Sequence, residues 1–96
     1  MSKIFKGQSA LRIILKTFTD LEGCLLALIK YRKPDGSAGE FSAGVEDVAK
    51  GVIFHECIEG EIDKGGWWFF WASVTFADGR VAPGEVVKVF VWDEGG

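Results

Sequence analysis

The chain has 96 residues, 48% of them apolar and 26% charged, with a net charge of −3. That length fits one domain, read as residues 1–96, and the apolar share is enough for one core. Its basic residues are scattered, with Lys30, Arg32 and Lys33 as the one dense cluster, so no nucleic-acid partner is expected, because phosphate binding relies on a basic patch.

No apolar leader segment follows Met1 to Gln8, and the longest apolar stretch, Cys24 to Ile29, is far too short for a membrane span. The expectation is synthesis in the cytoplasm and no membrane partner.

Strand signals, punctuated by turns, run the length of the chain. Ile4-Phe5 reads as a short first strand ended by Gly7. Leu11 to Phe18 puts Leu11, Ile13 and Leu15 on one face and Arg12 and Lys16 on the other. Asp20-Leu21-Glu22-Gly23 is a turn. Leu25 to Lys33 is a third strand, stopped by Pro34-Asp35-Gly36-Ser37, a strong turn sequence. Glu40 to Val45 is a short fourth strand, and Glu46 to Gly51 is a loop or one helical turn. Val52 to Ile58 is a fifth strand, followed by a turn at Asp63-Lys64-Gly65-Gly66. Trp67 to Phe76 is the sixth and strongest strand. Asp78-Gly79 then makes a hairpin turn of the kind that needs positive φ, and Glu85 to Trp92 is the last strand. No sustained helical stripe appears. Seven strands at this spacing predict an all-β, immunoglobulin-like antiparallel sandwich.

Side chains alternate across a strand. Trp68, Phe70, Ala72, Val74 and Phe76 should therefore face the core, as should Val87, Val89 and Val91 in the last strand and Ala27, Ile29 and Tyr31 in the third. In an immunoglobulin-like sandwich these three strands are neighbours. Their outward residues then combine into one surface: Leu26, Leu28, Trp67, Phe69, Trp71, Phe90 and Trp92. A patch that large exceeds what monomers usually expose. A protein interface is the favoured reading, because aromatics bury much area at low entropy cost. Cover by the chain's own loops and a stacking platform for sugars are the alternatives.

Little in the sequence carries chemistry. His55 is the single histidine, so a metal site would need other ligand types. It shares a strand face with Cys57, but no orienting third group or oxyanion hole is evident, so no catalytic residue is assigned. Glu56, Glu59, Glu61 and Asp63 read as a solvated acidic stretch. Cys24 and Cys57 lie in apolar runs and read as small buried thiols, and a reducing compartment argues against a disulfide. No cofactor and no metal are expected.

Certain segments resemble a group of small bacteriophage proteins. They are Phe5-Lys6-Gly7, Leu11, Ile29 to Gly36, Gly51-Val52-Ile53, Asp63 to Trp68, Ala72, Val74, Asp78-Gly79-Arg80 and Gly84-Glu85. These proteins are similar in turn to the immunoglobulin-like N-terminal domain of phage baseplate upper proteins. The resemblance runs from about Lys3 to Asp93, and its motifs are turn and core signals. It implies a non-enzymatic phage or prophage product made in the bacterial cytoplasm. That product would be a structural or adaptor protein of a virion tail, baseplate or head, partnered by another virion protein or by itself. The runner-up is a carbohydrate-binding module for host-surface glycans. Trp67, Phe69 and Trp71 depart from the family pattern, which is more polar there.

Overall fold

A computed structural model describes residues 4–7, 11–58, 60–84 and 86–92. The elements are β1 (Ile4–Phe5), β2 (Leu11–Lys16), β3 (Cys24–Arg32), β4 (Ala38–Ser42), β5 (Gly44–Asp47), β6 (Val52–Cys57), β7 (Gly66–Phe76), β8 (Val81–Pro83) and β9 (Val87–Trp92). They form two sheets. The larger runs β1-β9-β7-β3-β4 with β8 also on β7, and the smaller runs β2-β6-β5. All pairs are antiparallel except β1 on β9. The all-β immunoglobulin-like sandwich read from the sequence is therefore present.

The differences lie in how the strands are divided. The expected strand from Glu40 to Val45 is two elements. β4 ends in the large sheet at Ser42, Ala43 donates its N–H to Ala27 O at 3.0 Å, and β5 begins in the small sheet at Gly44. A strand that changes sheets keeps an extended backbone across the corner, so alternation alone does not show the break. β8 falls between the expected turn at Asp78-Gly79 and the expected last strand, where no element is read from the sequence. Its three residues complete the β7 edge, which pairs with β9 over Gly66 to Phe70 and with β8 over Ser73 to Thr75. Gly84 N–H then donates to Ala72 O at 3.0 Å in the gap between them. In β3 a register shift between Cys24 and Leu26 leaves Leu25 exposed.

The core follows the alternation. Trp68, Phe70, Ala72, Val74 and Phe76 are all buried, and they meet Ala27, Ile29, Leu15, Ile53 and Ile62 between the sheets. Trp68 is 0% exposed and donates its indole N–H to Lys64 O at 2.9 Å, so its polar edge is satisfied as its rings are buried. The last strand departs from the expectation. Val91 is buried and Val89 packs against the core, but Val87 is 41% exposed at the start of β9.

Turn chemistry fixes the connections. Asp35 accepts the Ser37 N–H and Oγ–H at 2.9 and 2.6 Å, and these bonds hold its carboxyl below the ordinary value despite some desolvation. This turn lies against the Asp63-Lys64 turn through two crossed ion pairs, Lys33 with Asp63 at 2.9 Å and Lys64 with Asp35 at 3.6 Å. Gly51 is buried with φ +72°, and a side chain there would run into the Thr19 carbonyl and Thr17 Oγ1. Only glycine meets both demands.

Trp68→Ala should cost about 3–5 kcal/mol in urea unfolding. That is a large share of the roughly 5–15 kcal/mol that holds a domain together.

Candidate metal centre

β6 turns Ile53, His55 and Cys57 toward the large sheet and Phe54 and Glu56 away from it, as a period of two requires. Ile53 and Cys57 are buried, Cys57 at 3% exposure. His55 stands at the seam of the sandwich. Its ring stacks on Phe41 of β4, with centroids 4.4 Å apart and planes at 8°, so one imidazole touches both sheets.

Both ring nitrogens of His55 face oxygen. Nδ1 lies 2.8 Å from Ser42 O, at the corner where β4 leaves the large sheet. Nε2 lies 2.9 Å from Glu61 Oε1. A carbonyl only accepts, so Nδ1 carries a hydrogen, and Nε2 is then the nitrogen whose lone pair or proton faces Glu61. Glu61 reaches this point because the chain turns back after β6. Its Oε1 also accepts the Ile58 N–H at 2.8 Å, and its own N–H donates to Ile58 O at 3.2 Å. Burial disfavours the Glu61 charge, but the Ile58 N–H, the His55 hydrogen bond and the His55 charge outweigh it, so its carboxyl sits below the usual value.

The Cys57 sulfur completes the group. One ligand atom each from His55, Cys57 and Glu61 all lie within 4.8 Å of one another. Burial pushes the Cys57 thiol up to about 11, and the Glu61 charge adds to the effect. That is the opposite of an activated nucleophile. The His55 nitrogens lie at hydrogen-bond distance from Ser42 O and Glu61 Oε1 rather than from the sulfur. The arrangement offers one nitrogen, one sulfur and one oxygen donor converging from a strand and the turn that follows it. The hydrogen bond from Nδ1–H to a backbone carbonyl orients Nε2, as outer partners do for metal-ligating histidines.

The sequence puts His55 on one strand face with Cys57 but shows Glu61 only as part of an acidic stretch. The structure separates that stretch. Glu56 is exposed and approaches Arg12 at 4.0 Å, Asp63 pairs with Lys33, and Glu61 folds back onto His55. Glu59 lies outside the described residues. The available signal was the spacing His55, Cys57, then Gly60-Glu61, with a glycine at φ +89° returning the chain.

The seven residues expected on one outer surface are on β3, β7 and β9 of the large sheet. Leu26, Trp67 and Trp92 are exposed, whereas Leu28, Phe69, Trp71 and Phe90 are half-buried. The rings partly cover one another. Phe90 meets Trp67 and Trp92 edge-on, at 73° and 74° with centroids about 5 Å apart, and the Lys88 ammonium lies 4.3 Å above the Trp67 ring. The surface is thus less open than a list of outward aromatics implies, and its Trp67 ring already carries a cation on one face.

Both cysteines are unbridged, Cys24 half-buried and Cys57 buried. A thiol-specific reagent at pH 8 should therefore label Cys24 well before Cys57, as read by mass spectrometry of timed samples. Equal rates would mean that Cys57 is not enclosed.

No protein-family model matches the chain, and no curated protein is similar to it. Among solved structures the chain is similar to CopC from Methylosinus trichosporium OB3b, with a TM-score of 0.60 and 16% identity. The match covers 100% of this chain and 89% of that one. It supports the two-sheet sandwich and corrects the phage resemblance, whose quoted segments are the turn and core signals that β-sandwiches share. The phage or prophage assignment falls with it, and so do the baseplate and virion role and the virion or self partner. The glycan-module alternative is set aside as well, since the rings on that face stand edge to face with one under a lysine.

Proposed function

We infer that the protein binds a late first-row transition-metal ion, of the zinc and copper class, through His55 Nε2, Cys57 Sγ and Glu61. The observation that carries this reading is the convergence of three different donor types within 4.8 Å, with the imidazole already oriented by Ser42 O. A thiolate and an imidazole suit zinc and copper, whereas hard ions such as calcium and magnesium take oxygen alone. Three protein ligands leave one position of a tetrahedral site for water or an incoming ligand. The role is binding rather than catalysis, supported by the raised Cys57 thiol and the absence of a free base beside it among the described residues.

Cobalt(II) serves as an optical probe, because a thiolate ligand gives a near-ultraviolet charge-transfer band. Titration of the reduced protein should produce that band, and zinc should abolish it by displacement. Cys57→Ser should lose the band. His55→Ala and Glu61→Gln should weaken binding by more than the roughly tenfold to hundredfold that loss of an outer partner costs. Binding must also release the Cys57 proton. Because that thiol sits at about 11, affinity should climb with pH through the neutral range. No band in the wild-type protein, or a band retained in Cys57→Ser, would exclude the site.

A further inference from the structure

Between the two sheets, on the side where β2 faces β9, lies a cavity of about 150 Å³. Its wall includes Leu11, Ile13 and Leu15 from the small sheet, Phe70 and Val89 from the large one, and Ile62 from the turn before β7. Arg12 is the one charged residue on the wall among the described residues. Its guanidinium is engaged elsewhere, 2.6 Å from Glu46 and 4.0 Å above the Phe54 ring, so it brings no charge into the space. Ile14 and Val87, also on the wall, are 53% and 41% exposed.

We propose that this cavity is a binding site for a small, neutral, apolar molecule of roughly benzene size. Three observations fix that chemistry. The volume matches that of cavities known to hold a single aromatic ring or a xenon atom. The wall is aliphatic and aromatic side chain, and a water needs two to four polar partners to be held there. With no unengaged charge on the wall among the described residues, a carboxylate or ammonium would lose its hydration with nothing in return. A lined but unfilled space also lacks contacts on one side, so an apolar occupant gains dispersion contacts that the walls do not otherwise make. Exposed Ile14 and Val87 on the wall put part of its lining within reach of solvent. The site is independent of His55, Cys57 and Glu61.

The test is thermal unfolding of the whole protein, followed by circular dichroism, in increasing benzene, with pyridine as the polar isostere. A ligand that binds only the folded state raises the ratio of folded to unfolded protein about elevenfold at ten times its Kd. For a domain of this size that is a rise of several degrees in Tm. The wild-type Tm should rise and saturate with benzene and not respond to pyridine. Val89→Phe, which fills the cavity from β9, should remove the rise. Ile13→Phe fills it from β2 and serves as the second variant should the first not fold. No rise in the wild-type protein, or an equal rise in a folded filling variant, overturns the proposal.

Discussion

The alternation of β7 is the constraint on which the molecule hangs. Its Gly66–Phe76 run places Trp68, Phe70, Ala72, Val74 and Phe76 on one buried face. A slip of one residue would send all five to the other side, so the register with β3 is fixed by burial rather than by the turns. β3 in turn fixes β4, with Ile29 opposite Phe41. Phe41 is the ring on which His55 lies. The position of an imidazole on the small sheet is therefore set by the hydrophobic register of the large one, two strands away.

The seam of the sandwich is where polar chemistry collects. The chain changes sheets at Ala43, and the corner leaves Ser42 O beside the His55 ring. The same corner brings β5 alongside β6, so β6 has a partner on both edges. Glu61 closes the arrangement from the turn that follows, and the next residue, Ile62, is buried in the core and accepts the Gly7 N–H at 2.6 Å. A donor set held at a seam can be reached from outside while its members stay anchored in the interior. Cys57 is the most enclosed of the three, and burial keeps its thiol protonated. Supporting a polar group with packed neighbours and outer hydrogen bonds is what a metal site needs to hold its geometry.

Most of the fold was legible because period-two patterning and Gly/Asp turns carry it. Trp67 to Phe76 announced both its faces, and Pro34-Asp35-Gly36 announced its turn. Two kinds of feature were not legible. The corner at Ala43 was hidden because both strands that meet there are extended, so no change of period marks it. The site was hidden because Glu61 looks like its acidic neighbours until the chain's return past Gly60 singles it out, and proximity across a turn leaves no periodic trace. The outer aromatic face was legible as a list of residues and not as an arrangement. The edge-on packing of Trp67, Phe90 and Trp92, and the lysine above Trp67, depend on rotamers that sequence does not state. The phage resemblance erred for a related reason, since its motifs report turns and core positions and these belong to the sandwich architecture rather than to a function.

X-ray absorption at the zinc edge, on protein loaded with one equivalent of zinc, reads whether Cys57 is a ligand. The expected first shell has one sulfur at about 2.3 Å with lighter nitrogen and oxygen scatterers at about 2.0–2.2 Å, and Cys57→Ser loses the sulfur. A first shell of nitrogen and oxygen alone in the wild-type protein would contradict it.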